Sequence, residues 1–292
     1  MRAAKHKPPP CRQPAPQHSP SQPPQALTGK NTATQPLNGD KTMSKTNIRR
    51  VHIILQGKGG VGKSTAALAV AQALAAQGRQ PLVLDTDPVN HTMLHFPALG
   101  ARAVEILDSN KQIDHRAIDL MWDMIINHAE EGGDAVVDNG ATSFVPMTAY
   151  IAENNTIDML AECGVQTVLH TVLIGGQAMA DTLRGLSMLI AETTAPIVVW
   201  INEKDGPVQR DGRGFEQSAP YQELVSSGRL AGVVTLPASN PAYAQDWHDM
   251  TSAGHTFDQA AEAAPTRAQR ARIQTTWARL RGQLHPVLSH DR

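Results

Sequence analysis

The nine residues from Gly57 to Thr65, G-K-G-G-V-G-K-S-T, constrain this chain more than any other stretch. They fit the phosphate-loop pattern G-x-x-x-x-G-K-[ST] at Gly57, Gly62, Lys63 and Ser64. The apolar run Val51–Leu55 precedes them and reads as a buried strand, while the Ala- and Leu-rich run Ala66–Gln77 follows and reads as a helix. Glycines at 57, 59, 60 and 62 let the backbone take positive φ and turn its N–H groups toward an anion. The following helix points its positive dipole end at the same place. Lys63 then brings a point charge to the phosphates and Ser64 a hydroxyl to Mg²⁺. A chance match, or a loop that has lost its ligand, is the competing reading, and the strand before the loop and the helix after it weigh against it.

From Val51 onward, apolar strand-like runs alternate with helical ones. Strands are expected at Val51–Leu55, Pro81–Asp85, Ala135–Asp138, Val168–Leu173, Ile197–Ile201 and Leu230–Leu236. Helices are expected at Lys63–Gln77, Arg116–Glu130, Pro146–Ala161, Gln177–Glu192, Phe215–Ser226, Pro241–Met250 and Thr266–Leu284. This alternation predicts an α/β fold with a mostly parallel sheet flanked by helices, and with the phosphate-loop motif it points to a three-layer P-loop NTPase fold. Ligands of such sheets bind at the carboxyl ends of the strands.

Residues 1–46 have a different composition. The segment is rich in Pro and Gln, and Asp40 is its only acid against Arg2, Lys5, Lys7, Arg12, Lys30, Lys41 and Lys45. It has too little apolar surface to offset the entropy of ordering, so it is expected to be a disordered basic extension ahead of one domain spanning 47–292. One reading makes it an arm for DNA or a partner. The plainer one makes it an unstructured extension, or a start assigned too early, with Met43-Ser44-Lys45 just before the first strand. The net charge of −1 gives no global attraction to nucleic acid or membrane, and Cys11 and Cys163 are too few for a disulfide framework. No apolar run is long enough to span a bilayer, and a cytoplasmic protein, with peripheral contact at the inner membrane as an option, is expected.

A second lysine, Lys58, directly follows the first glycine. K-G-G-V-G-K-S resembles the deviant phosphate loop of the ParA/MinD/nitrogenase-iron-protein class of ATPases. The resemblance implies ATP and Mg²⁺ as ligands, nucleotide contacts from Gly57, Lys58, Gly59, Gly60, Val61, Gly62, Lys63, Ser64 and Thr65, and an ATP-dependent homodimer in which Lys58 reaches the partner's phosphates. A charge so placed would act as arginine fingers do. Leu84-Asp85-Thr86-Asp87-Pro88 resembles the D-x-D-P element of that class, implying Asp85 near the Mg²⁺ and Asp87 orienting the attacking water. A capped, strand-ending turn is the alternative for this run. Ala135–Asp138 is an apolar strand ending in an acid, the Walker B form, which makes Asp138 a metal ligand beside Ser64 and Asp85. The class usually carries proline after this acid, whereas here Asn139 begins the run N-G-A-T-S-F. Asn202 and Pro237, closing two later strands, match positions that contact the purine. The order Asn202-Glu203-Lys204-Asp205 displaces the lysine a guanine-reading N-K-x-D motif requires and favours ATP.

The similarity extends further. D-N-G-A-T-S-F-V-P (138–146), H-T-V (170–172), G-G-Q-A (175–178) and T-F-D-Q-A (256–260) resemble the TraL proteins of IncP-type plasmid conjugation systems. That resemblance implies a slow ATPase acting as a monomer–dimer switch in conjugative transfer, with conjugation or DNA-processing proteins as partners. A plasmid partition or stability ATPase, a nucleotide-binding adaptor and a metabolic ATP-dependent ligase on the same fold are the competing functions.

Other features support several readings each. Ile273, Trp277, Leu280 and Leu284 form an apolar stripe against Arg267, Arg270, Arg272, Arg279 and Arg281. It fits a membrane-surface anchor, a DNA-contacting patch, or a helix packed on the sheet with its arginines in water. His91 and His95 stand four apart, as metal ligands sometimes do, or lie in a solvent-facing loop. Cys163 has no neighbouring base that would make it a nucleophile.

Overall fold

A computed structural model describes residues 48–110, 112–238 and 240–289. The extension expected over 1–46 lies outside the described residues.

The first strand, β1 (Arg49–Ile54), lies in the middle of a seven-stranded sheet in which every pairing is parallel. The others are β2 (Leu82–Asp85), β3 (Arg102–Ala103), β4 (Ala135–Asp138), β5 (Val165–Ile174) and β6 (Ile197–Asn202). A small antiparallel hairpin, β7 (Gln209–Arg210) and β8 (Arg213–Gly214), precedes β9 (Leu230–Leu236). The sheet order is β3-β2-β4-β1-β5-β6-β9.

Side-chain alternation along β1 assigns its residues to two cores. Val51 and Ile53 enter one cluster, shared with α2 (His115–Glu130), α3 (Phe144–Glu153), α4 (Thr156–Glu162), α5 (Met179–Glu192) and α6 (Ala219–Ser226). Ile54 enters the other, with α1 (Lys63–Ala75), α7 (Pro241–Ser252), α8 (Phe257–Ala263) and α9 (Arg267–Leu288). Burying each Val, Leu or Ile contributes roughly 1.5–3 kcal/mol, so a sheet covered on both faces needs strands apolar on both sides. Helix α1 has no polar face from Ala66 to Leu74 because it lies between the sheet and α9.

The helix expected over Pro146–Ala161 is two helices. The chain turns at Asn154–Asn155, where Asn155 takes φ 49°, a left-handed conformation that asparagine tolerates. Helix α8, not anticipated, starts at a capping box in which the Thr256 hydroxyl accepts from Gln259 N while Gln259 Oε1 accepts from Thr256 N. Gln72 of α1 also accepts from Phe257 N at 2.7 Å, so α8 is capped partly by a residue 185 positions away.

Ile273, Trp277, Leu280 and Leu284 are all buried, and Phe257 stacks on Trp277 with ring centroids 4.6 Å apart. The apolar stripe a membrane anchor would need is consumed by the core. Among the arginines, Arg270 donates to the Ala261 and Glu262 carbonyls, Arg272 forms a two-point pair with Asp246, and Arg281 lies over the Trp277 ring. The last carbonyls of α9 are held by Arg50 Nη1 (Val287, Ser289) and Arg79 Nη2 (Leu288). Among the described residues no helix is long and apolar enough to cross a membrane.

Candidate nucleotide site

The sheet registers Asp85 against Asp138 and Ile54 against Asp138, so the carboxyl ends of β1, β2 and β4 meet at one place. The glycine loop leaves β1 there and enters α1. Gly60 (φ 73°) and Gly62 (φ 105°) take conformations that a side chain would strain. A Cβ on Gly62 would stand 2.9 Å from Asn202 Nδ2, and one on Gly57 would stand 2.9 Å from the Phe144 ring. The loop is therefore pressed between β6 and the start of α3.

Asn202 holds that arrangement. Its Nδ2 donates to the Val61 carbonyl at 2.8 Å and its Oδ1 accepts from Lys204 N at 3.1 Å, while Lys204 Nζ donates to the Gly60 carbonyl. Asn202 lies beside Leu236 in the sheet register, which brings Pro237 to the same edge. The side chain expected to face a purine thus also secures the phosphate loop to β6, and Lys204 joins it.

Lys63, at the start of α1, is largely buried and donates to the Lys58 carbonyl at 3.1 Å. Burial lowers its pKa, and the carboxylates of Asp138 and Asp87 oppose that shift. The lysine that phosphates would claim is already drawn across the loop.

Asp138 supplies the clearest electrostatic signal. It is 1% exposed and neither carboxylate oxygen has a hydrogen-bond partner. Burial pushes its pKa up to about 7, with Asp85 and Asp87 adding to the rise; the Ser64 hydroxyl and Lys63 pull it back. A buried carboxylate without a partner is costly, and a cation beside it would remove the cost. Ser64 and Asp138 therefore fit a Mg²⁺ ion, which keeps several waters and takes few protein ligands.

Asp85, expected beside the same ion, also holds two backbone N–H groups. Its Oδ1 accepts from Asp87 N at 3.0 Å and its Oδ2 from Met93 N at 2.9 Å. Burial raises its pKa while those two N–H groups lower it. Asp85 shapes the loop that carries Asp87, as well as adding negative charge beside Asp138. Asp87 spends Oδ1 on the N–H groups of Val89 and Asn90, an Asx turn of the kind anticipated as the alternative for this run. His91 stands 3.9 Å from Asp85 and 3.6 Å from Glu105, and no cluster of three metal-ligating side chains occurs among the described residues.

Lys58 Nζ pairs with Asp181 Oδ2 of α5 at 3.1 Å, and Arg184 pairs with the other oxygen. The two cations lower the pKa of Asp181, Lys58 foremost. These groups edge an open groove of about 310 Å³ that includes Phe144 and Met188. Asp181 had no sequence signal, because it is 123 residues from Lys58 and meets it only through the packing of α5. Gln56 was also missed. Buried directly before Gly57, its Nε2 donates to Thr171 Oγ1 and to the carbonyls of Val172 and Thr182, tying the loop's root to β5 and α5.

Residues 52–265 match the family model described as the CobQ/CobB/MinD/ParA nucleotide binding domain. A protein TraL of Escherichia coli is 39% identical over 241 residues, covering 81% of this chain and 98% of that protein. A second Escherichia coli TraL is 39% identical over 216 residues, covering 73% and 87%. Among solved structures, the MinD cell division protein of Aquifex aeolicus aligns with a TM-score of 0.43 at 18% identity, covering 80% of this chain and 97% of that one. With its phosphate loop, parallel sheet and matched domain, the chain belongs to the CobQ/CobB/MinD/ParA family of nucleotide-binding domains, and the TraL proteins are among its relatives.

Proposed function

We propose that this chain is a Mg²⁺-dependent ATPase that switches between monomer and ATP-bound dimer in plasmid conjugative transfer. The observation that carries the reading is the position of Lys58: its ammonium is half-exposed at the rim of the phosphate loop and paired within its own chain to Asp181. A lysine there is redundant for binding phosphate in cis, since Lys63 already lies across the loop. It is well placed to be handed to the nucleotide of a second copy.

The chain's own groups divide the work. The loop N–H groups and Lys63 hold the β- and γ-phosphates, and Asn202 with Pro237 edges the purine. Ser64 and Asp138, with Asp85 beside them, would hold Mg²⁺, which would supply charge neutralisation on the phosphates. Asp87 keeps Oδ2 to accept from a water and orient it, its Oδ1 being spent on the turn. Lys58 of a second copy offsets charge developing on the transferred phosphoryl group. The relationship to TraL proteins supports a role in conjugation, with DNA-processing proteins as partners of the dimer.

Light scattering of wild-type protein and Lys58→Ala with Mg-ATP, Mg-ADP and a non-hydrolysable analogue tests this. A dimer is expected only with the triphosphates and is weakened in the variant. A protein that binds ATP and stays monomeric throughout would overturn the proposal.

A further inference from the structure

Between β4 and α3, two buried hydroxyls converge on one side-chain oxygen. Asn139 Oδ1 accepts from the Thr86 hydroxyl at 3.1 Å and from the Ser143 hydroxyl at 3.1 Å, and each hydroxyl also reaches a backbone carbonyl, Asp138 for Thr86 at 3.2 Å and Gly140 for Ser143 at 3.1 Å. The three residues are 0–1% exposed. The Asn139 Nδ2 donates to the Gly140 carbonyl at 3.0 Å, and flipping the amide would set oxygen against oxygen there. The Gly140 carbonyl therefore selects the orientation in which Oδ1 faces the two hydroxyls. A proline at this position would supply no such acceptor.

Each hydroxyl belongs to a different segment of the site. Thr86 separates Asp85 from Asp87, and its N–H also donates to the Asp138 carbonyl at 2.9 Å. Ser143 is the residue ahead of α3, whose first residue, Phe144, lies against Gly57. Gly140 completes the contact: a Cβ there would stand 3.1 Å from Asp87 Cα and Cγ. A path of touching groups thus runs from Asp87 through Thr86, Asn139 and Ser143 to Phe144 and the phosphate loop.

We infer that Asn139 is a positioning residue whose side-chain oxygen couples the Asp87 loop to the start of α3, so that the two segments shift as one unit when the phosphate loop is occupied. The inference rests on the ATPase reading above for its kinetic consequence and on geometry alone for the coupling. Two hydroxyls bonded to a single acceptor link their segments through it, and the carbonyls of Asp138 and Gly140 hold the same hydroxyls to the backbone on either side of Asn139.

Thr86→Val and Ser143→Ala each remove one hydroxyl with little change of shape, and Thr86→Ser restores the bond. Each of the first two is expected to lower kcat by about tenfold with KM within about threefold, and Thr86→Ser to stay within about twofold of wild type. The double variant is expected to be no slower than the slower single one, since either break uncouples the segments. Hydrogen exchange with a non-hydrolysable ATP analogue gives a readout independent of turnover. In wild type, amides of residues 87–93 and 143–148 are expected to gain protection together; in Thr86→Val only one segment responds. Single variants that lose thermal stability at unchanged kcat, or a double variant slowed by the product of the single effects, would overturn the inference. So would exchange in Thr86→Val that follows wild type in both segments. A wild-type protein without ATP turnover would refute the ATPase reading and leave the exchange result to decide the coupling.

Discussion

The indole N–H of Trp200 donates to Nδ1 of His170 at 3.0 Å, inside the sheet face covered by α1 and α9. Because Nδ1 accepts, the His170 proton sits on Nε2, which donates to His52 Nδ1 at 2.9 Å. Three neighbouring strands are thereby joined by one buried polar chain. Burial lowers the His170 pKa to about 3, against about 6.5 for an unperturbed histidine. Between those values the unfolded chain binds a proton that the fold refuses, so this residue's contribution is present above pH ~6.5 and is lost as pH falls toward ~3. The slope is at most about 1.4 kcal/mol per pH unit. His170→Asn, which keeps an acceptor for the indole, is expected to show a shallower loss than wild type when urea unfolding is compared at pH 7 and pH 5. Equal losses would mean that His170 is charged in the fold.

Gly62 takes φ 105° and faces Asn202 Nδ2. Gly62→Ala combines strain of about 1–3 kcal/mol with displacement of the asparagine that holds Val61. Nucleotide affinity, measured by fluorescent ADP titration, is expected to fall by about tenfold or more. Lys63→Gln is expected to abolish binding altogether, and wild-type affinity in either variant would remove that residue from the site.

Asp181 holds Lys58 within the chain. Asp181→Ala is expected to leave thermal stability nearly unchanged, because the pair is solvent-screened. It is expected to bring ATP-dependent association to lower protein concentration, because Lys58 no longer has to leave a partner. Sedimentation across a concentration series checks this, and weaker association would show that Asp181 supports the dimer instead of opposing it.

Trp277 is 4% exposed and stacks on Phe257. Trp277→Ala is expected to cost about 3–5 kcal/mol by chemical denaturation. Co-sedimentation with anionic vesicles is expected to be the same for wild type and for a folded, conservative Trp277→Phe variant, because the residue faces the core. Reduced vesicle binding by that variant would restore the anchor reading of α9.

Much of the molecule is local in origin and was legible as such. The run Val51–Leu55, the glycines and Lys63 announce strand, loop and helix because each depends on near neighbours: side-chain period, backbone freedom, helix propensity. Asp138 was readable for the same reason, as an acid ending an apolar strand. The break at Asn155 and the short helix α8 were not, since a left-handed turn and a seven-residue helix hardly disturb an apolar pattern.

The pairings on which the site depends lie beyond any such pattern. Asp181 meets Lys58, Asn202 meets Val61, and Thr86 meets Asn139 across separations of 123, 141 and 53 residues. Gly175 shows the same dependence, since a Cβ on it would stand 2.2 Å from the Gly206 carbonyl of a different loop. Periodicity says that a strand or helix exists and which face is buried; it carries no information about which residue of a distant element arrives opposite. Strand order, register and helix packing decide that. For this chain they determine that Asp138 is buried with no hydrogen bond to either carboxylate oxygen, that Asp85 accepts from two backbone N–H groups, and that Lys58 rests on a carboxylate of its own chain.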